Sequence, residues 1–118
     1  MDTVKRFVRS LKHALSGLRY TLEHETNFRI QLIISLAVFV LMFYFPTRII
    51  EKGILILIIM IVLVLELINT VFERLSDILK PRVHFYVKEI KDIMAATVLI
   101  SSVGAVIIGL IIFLPYLI

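Results

Sequence analysis

The sequence predicts an all-α membrane protein, three transmembrane helices preceded by an N-terminal amphipathic surface helix, in a single domain over residues 1–118. Three observations predict it. Hydrophobic residues make up 60% of the chain and charged residues 19%, against about 45–50% and about 25% in soluble domains. The apolar residues gather in three blocks, and residues 93–118 carry no charge at all. Ahead of the blocks, apolar side chains recur at helical spacing. A mean hydropathy of +1.02 excludes intrinsic disorder, which needs few hydrophobes. With no cysteine, disulfide frameworks, zinc knuckles and thiol catalysis are excluded too.

The surface helix covers residues 1–26. Val4, Phe7, Val8, Leu11, Leu15, Leu18 and Leu22 form one stripe, and Lys5, Arg6, Arg9, Lys12 and Arg19 fall mostly off it. That pattern fits a helix lying on a membrane surface, the alternative being a helix packed on the bundle with a solvated basic face. It is no signal peptide, lacking a continuous apolar core and a small-residue cleavage site. The first span, about 27–46, is short if counted from Ile30 to Phe45, so it begins near Asn27–Arg29 and stops before Pro46. The second, about 50–72, has an uninterrupted apolar run that ends at Leu65; it crosses only if the helix continues through Glu66 and Asn69. The third, about 93–115, is long enough alone.

Charge orients the spans. Lys and Arg number six before the first span, two in the first loop, five in the second loop region and none in the tail. The positive-inside rule puts the N-terminus and second loop in the cytoplasm and the first loop and C-terminus outside, in a multi-pass membrane protein. A net charge of +4 on such a chain points to anionic headgroups or phosphate-bearing ligands rather than nucleic acid.

Chemistry concentrates in Glu66-Leu-Ile-Asn69-Thr-Val-Phe-Glu73-Arg-Leu-Ser-Asp77. At 100° per residue, Glu66, Asn69, Glu73 and Asp77 share a stripe of roughly 80°. A carboxylate near the hydrocarbon costs at least about 2.5–3.5 kcal/mol and demands a cation, a metal or a proton. A helix emerging into water explains Asp77 and Glu73 but not Glu66 and Asn69. Lys91 and Asp92 precede the uncharged third span, where a lysine at a helix N-terminus suits phosphate oxygens; positive-inside flanking with Asp92 as a cap is the plainer account. Before the first span, Glu25 and Arg29 are spaced to pair on a helix. Together these segments offer carboxylates for Mg²⁺ and cations for phosphates at one membrane depth, the ingredients of phosphoryl transfer. There is no P-loop; Gly104 and Gly109 are read as helix-packing residues, His13, His24 and His84 lack metal-ligand spacing, and Ser101 and Ser102 lie deep in the third span, far from any base.

The pattern Glu66-x-x-Asn69-Thr-x-x-Glu73-x-x-x-Asp77, followed by Lys91-Asp92-x-x-Ala95-Ala96, resembles the signature of the small bacterial integral-membrane diacylglycerol and undecaprenol kinases. Gly17-Leu18-Arg19 and Glu25-x-x-Phe28-Arg29 match upstream, so the resemblance covers essentially the whole chain. It implies a homotrimeric bundle with active sites shared between chains, using ATP and Mg²⁺ to phosphorylate the hydroxyl of a membrane lipid. It implies Glu66 as general base, Asn69 positioned beside it, Glu25 and Glu73 on the metal, Lys91 and Asp92 at the nucleotide, Arg6 near lipid and nucleotide, and Asp77 behind these. The stretch Met94-Ala95-Ala96-Thr97 and the apolar, aromatic loop Pro81–Tyr86 depart from the family's pattern, which leaves the lipid open. The ending Leu110–Pro115 resembles the branch that acts on undecaprenol.

The expected reaction is direct in-line transfer of the ATP γ-phosphate, with an oligomer burying Glu66 against a neighbour's helix. Its rival is a small proton-coupled membrane transporter with Glu66 as the titrating carboxylate. A catalytically silent assembly subunit is a third reading, against which the intact motif argues.

Overall fold

The computed structural model describes residues 2–79 and 84–118, with the side chain of His84 not described. Lys80, Pro81, Arg82 and Val83, which include the first half of the loop Pro81–Tyr86 singled out above, lie outside the described residues. The described chain is helical: α1 (Asp2–His24), α2 (Thr26–Tyr44), α3 (Ile49–Leu79) and α4 (His84–Leu117). Thr26–Tyr44, Ile49–Leu79 and Phe85–Leu117 are long and apolar enough to cross a membrane. The chain is a multi-pass membrane protein.

The elements end where local chemistry ends them. A single extended residue, Glu25 (φ −113°, ψ 107°), separates α1 from α2. Arg29 does not pair with Glu25 as its spacing suggests. Its guanidinium donates to the Leu22 and Glu23 carbonyls at 3.1 and 3.2 Å. These are α1's last carbonyls, which have no helical partner and carry partial negative charge, so a cation there stabilises the corner. Pro46 ends α2 by forcing Phe45 extended (φ −87°, ψ 151°). Glu51 at the third position of α3 reaches back to the Arg48 N–H at 2.9 Å and caps it.

Beyond Leu65, α3 continues unbroken to Leu79, because no Gly or Pro interrupts it and its polar residues keep to one face. At 1.5 Å per residue α3 is about 46 Å long and α4 about 51 Å, each longer than a hydrocarbon core of about 30 Å. Counted from Ile49, Glu66 stands about 26 Å along α3, just inside that thickness, and Glu73 about 36 Å, beyond it. Few apolar side chains are buried within the chain: Phe28, Met42, Leu55, Val62, Val87 and Ile112. Only 6% of α4's apolar window is covered, which leaves lipid or other protein to cover the rest.

In two places the sequence reading is corrected. Lys91 and Asp92 are not at a helix start: α4 begins at His84 and Lys91 lies about two turns inside it. The Lys88–Asp92 ion pair at 3.3 Å, one turn apart, supports that extra helix. Gly104 and Gly109 do not draw helices together within the chain, since a Cβ on either would meet nothing within 4 Å.

Candidate active site

At the end of the bundle away from Pro46, α2, α3 and α4 line an open pocket of about 390 Å³. The α3 wall is Glu66, Asn69 and Glu73; α4 contributes Lys91 and Ser102, and α2 contributes Asn27 and Gln31. Ile30, Ala95, Val98 and Leu99 give it an apolar side. A larger groove of about 450 Å³ between α1 and α3 is mostly apolar, with Tyr20, Thr21, Thr70 and Arg74 as its polar side chains, and no carboxylate lines it.

Glu66 is the deepest charge. It is 4% exposed within the single chain. Among the described residues no cation lies within ion-pair distance of it. The charges of Glu73 and Glu25 act on it instead, and Gln31 lines the same pocket. Thr70, one turn on, spends its hydroxyl on the Glu66 carbonyl at 3.0 Å. Asn69 donates to Glu73 Oε1 at 3.2 Å, which fixes Glu73 toward the pocket.

The cations are held more loosely. Lys91 lines the pocket and meets Asp77 at 3.3 Å, with both side chains substantially exposed. Arg74 reaches Glu25 at 3.5 Å and lies 5.3 Å over the Tyr20 ring. Exposed pairs of this kind contribute about 0–1 kcal/mol and exchange partners readily.

Of the residues that sequence reasoning assembled, the chain brings Glu66, Asn69, Glu73 and Lys91 onto one pocket, with Asp77 behind Lys91. Glu25 stands at the corner, within electrostatic range but off the pocket wall. Asp92 faces outward to Lys88. Arg6 is exposed on α1, about 28 Å of helix away from Glu25, and does not join the pocket within one chain. Ser102 corrects an expectation: it lines the same pocket as Glu66. Gln31 went unmarked, although a lone amide in an apolar run was a signal of the same kind as Glu66.

Among the described residues no group of three or more His, Cys, Asp or Glu forms a metal cage. The donor set still fits Mg²⁺, which commonly takes one or two protein carboxylates and completes its shell with substrate phosphates and water.

The model of prokaryotic diacylglycerol kinase matches residues 12–113. The chain belongs to the prokaryotic diacylglycerol kinase family. It is 37% identical over 116 residues to the undecaprenol kinase of Bacillus subtilis, covering 98% of this chain and 94% of that one. To the diacylglycerol kinase of Synechocystis it is 32% identical over 107 residues, 90% of this chain and 61% of the relative. With the diacylglycerol kinase of Helicobacter pylori (strain 26695) it shares 32% identity over 99 residues, 84% and 77% of the two chains. Family membership makes the chain a lipid kinase, with ATP as co-substrate.

Proposed function

We propose that the chain transfers the γ-phosphate of Mg-ATP directly to the hydroxyl of a membrane lipid, undecaprenol or diacylglycerol, at the cytoplasmic face of a bacterial membrane. The observation that carries the mechanism is Glu66: buried on the wall of a polar pocket, with no cation within ion-pair distance among the described residues. A lipid alcohol presents its hydroxyl at that depth. Glu66 accepts the hydroxyl proton as the oxygen attacks, and general-base help of this kind is worth roughly 10²–10⁴ in rate. The new bond joins the lipid oxygen to the γ-phosphorus, the bond to the bridging oxygen breaks, and ADP leaves with its electrons.

Lys91 holds phosphate oxygens after letting go of Asp77. Glu73, steadied by Asn69, and Glu25, released by Arg74, would hold the nucleotide's Mg²⁺, which when bound neutralises phosphate charge. Asp92 takes part only from the rim. Arg6 serves the site of an adjacent protomer in a homotrimer, because its own chain keeps it away. The amphipathic stripe of α1, with Val4, Phe7, Leu11 and Leu15 exposed, lies on the inner leaflet and keeps ATP chemistry at the headgroups. The 37% identity to an undecaprenol kinase along nearly the whole chain favours a polyprenol over diacylglycerol.

The test is transfer of radiolabel from ATP to lipid by purified protein in micelles, with undecaprenol and diacylglycerol offered separately. Label enters undecaprenol faster, and Glu66→Gln loses nearly all transfer while assembling normally. Full turnover by Glu66→Gln removes Glu66 from the base role. Proton flux without lipid phosphorylation would instead establish the transporter.

A further inference from the structure

Three polar side chains of the pocket have no part in the reaction as derived, Asn27 and Gln31 on α2 and Ser102 on α4, and two of them, Gln31 and Ser102, are joined to each other. Gln31 Nε2 donates to Ser102 Oγ at 3.3 Å across the bundle. Both are half-buried, and both stand at the membrane side of the pocket. Counted from the far ends of their helices, Gln31 is about 20 Å along α2 and Ser102 about 22 Å along α4, slightly deeper than Glu66. Polar groups at that depth cost free energy unless they serve each other or a third group.

The third group is Glu66. An ionised carboxylate only accepts hydrogen bonds, and among the described residues no cation lies within ion-pair distance of this one. Glu73 stands on the same pocket wall, and Gln31 is a neutral donor lining that pocket. An amide nitrogen carries two N–H groups, and the bond to Ser102 uses one of them and orients the amide.

We propose that Gln31, anchored by Ser102, is a positioning residue that holds the Glu66 carboxylate in register with the lipid hydroxyl. The inference rests on the kinase reading above. It adds a polar layer beneath the base, built from two helices that the reaction otherwise uses only as walls.

The experiment is steady-state kinetics on the full chain in micelles, with Mg-ATP and whichever of undecaprenol and diacylglycerol the wild type phosphorylates faster. Gln31→Leu is expected to lower kcat on the order of tenfold or more, as a misaligned base does, and to leave KM for Mg-ATP within about twofold. Ser102→Ala lowers kcat less, and Ser102→Thr, which keeps the hydroxyl, restores it. The double variant Gln31→Leu/Ser102→Ala is no slower than Gln31→Leu alone, since the two act as one unit. Unchanged kcat in both single variants, additive losses, or losses that follow thermal stability and KM together would overturn the proposal. If Gln31→Leu does not fold, the Ser102→Ala and Ser102→Thr pair decides: equal kcat in the two overturns it. A wild type inactive on both lipids brings down the kinase reading and this proposal with it. An active wild type with unaffected variants brings down this proposal alone.

Discussion

The two ends of the helical bundle treat polar groups in opposite ways. At the Pro46 end they satisfy one another. Thr47 donates to the Met42 carbonyl at 2.8 Å, Lys52 donates to the Thr47 carbonyl at 2.6 Å and to its hydroxyl at 2.9 Å, and Glu51 takes both the Arg48 N–H and the Tyr116 hydroxyl. Phe45 packs against Phe113 and Tyr116, and Met42, Leu55 and Ile112 form a small core beneath. At the Glu66 end Asn69 meets Glu73 at 3.2 Å, Lys91 meets Asp77 at 3.3 Å and Arg74 meets Glu25 at 3.5 Å, a buried carboxylate has no cation within ion-pair distance among the described residues, and a pocket of about 390 Å³ remains. A closed network fixes three helices together; an open one leaves charge for a ligand to complete. On the mechanism proposed above, stability and catalysis are lodged at opposite ends, and variants should separate them.

The largest separation is expected from the acidic groups of the open end. Glu73→Gln, or chelation of divalent ions, should reduce lipid phosphorylation by a factor on the order of 10² or more, because unneutralised phosphates resist attack. The fold should be untouched, as read by thermal unfolding in micelles. A Glu73→Gln variant with wild-type turnover would show that the metal is held elsewhere. Next comes Lys91→Met, which removes a phosphate donor. A charge-assisted hydrogen bond is worth about 1.5–3 kcal/mol, so KM for Mg-ATP should rise roughly tenfold to a hundredfold, more than kcat falls. Titration of ATP at saturating lipid measures it.

The contrast between the ends also explains what could be read from the sequence. The three spans follow from apolar periodicity, and α3's passage through Glu66 follows from the absence of breakers before Pro81. The stripe Glu66–Asn69–Glu73 was legible because one helix carries it, so spacing alone sets its geometry. The Gln31–Ser102 contact was not, because it depends on the relative register of α2 and α4, 71 residues apart. Arg29 misled for a related reason: spacing offered Glu25 as its partner, but the chain bends at Glu25, and the exposed carbonyls of α1 take the guanidinium instead. The start of α4 was hidden because Lys88, Glu89, Lys91 and Asp92 read as a loop by composition, whereas charges one turn apart hold a helix.

At the closed end the expected effect is smaller and of another kind. Thr47→Val keeps the shape of a buried side chain (7% exposed) and deletes one hydrogen bond on each side of it. The loss should be about 1–2 kcal/mol of stability, seen as a lower unfolding midpoint with kcat and KM unchanged. A kinetic defect in Thr47→Val would mean that the two ends are coupled through α3.

Asp77→Asn should do least and tests the comparison most finely. Asp77 and Lys91 are paired at 3.3 Å, but their side chains are 57% and 38% exposed. Water screens such a pair, and the interaction is worth about 0–1 kcal/mol, or at most roughly fivefold in an equilibrium. If Asp77 only holds Lys91 until phosphate arrives, breaking the pair frees the lysine. KM for Mg-ATP should then fall slightly, by less than about fivefold, with kcat unchanged. If KM rises instead, Asp77 orients Lys91 toward the nucleotide, and the open end is more preorganised than its long contacts suggest. Measuring ATP affinity for Asp77→Asn in both the wild-type and Lys91→Met backgrounds decides between them, because an effect that passes through the lysine vanishes when the lysine is gone.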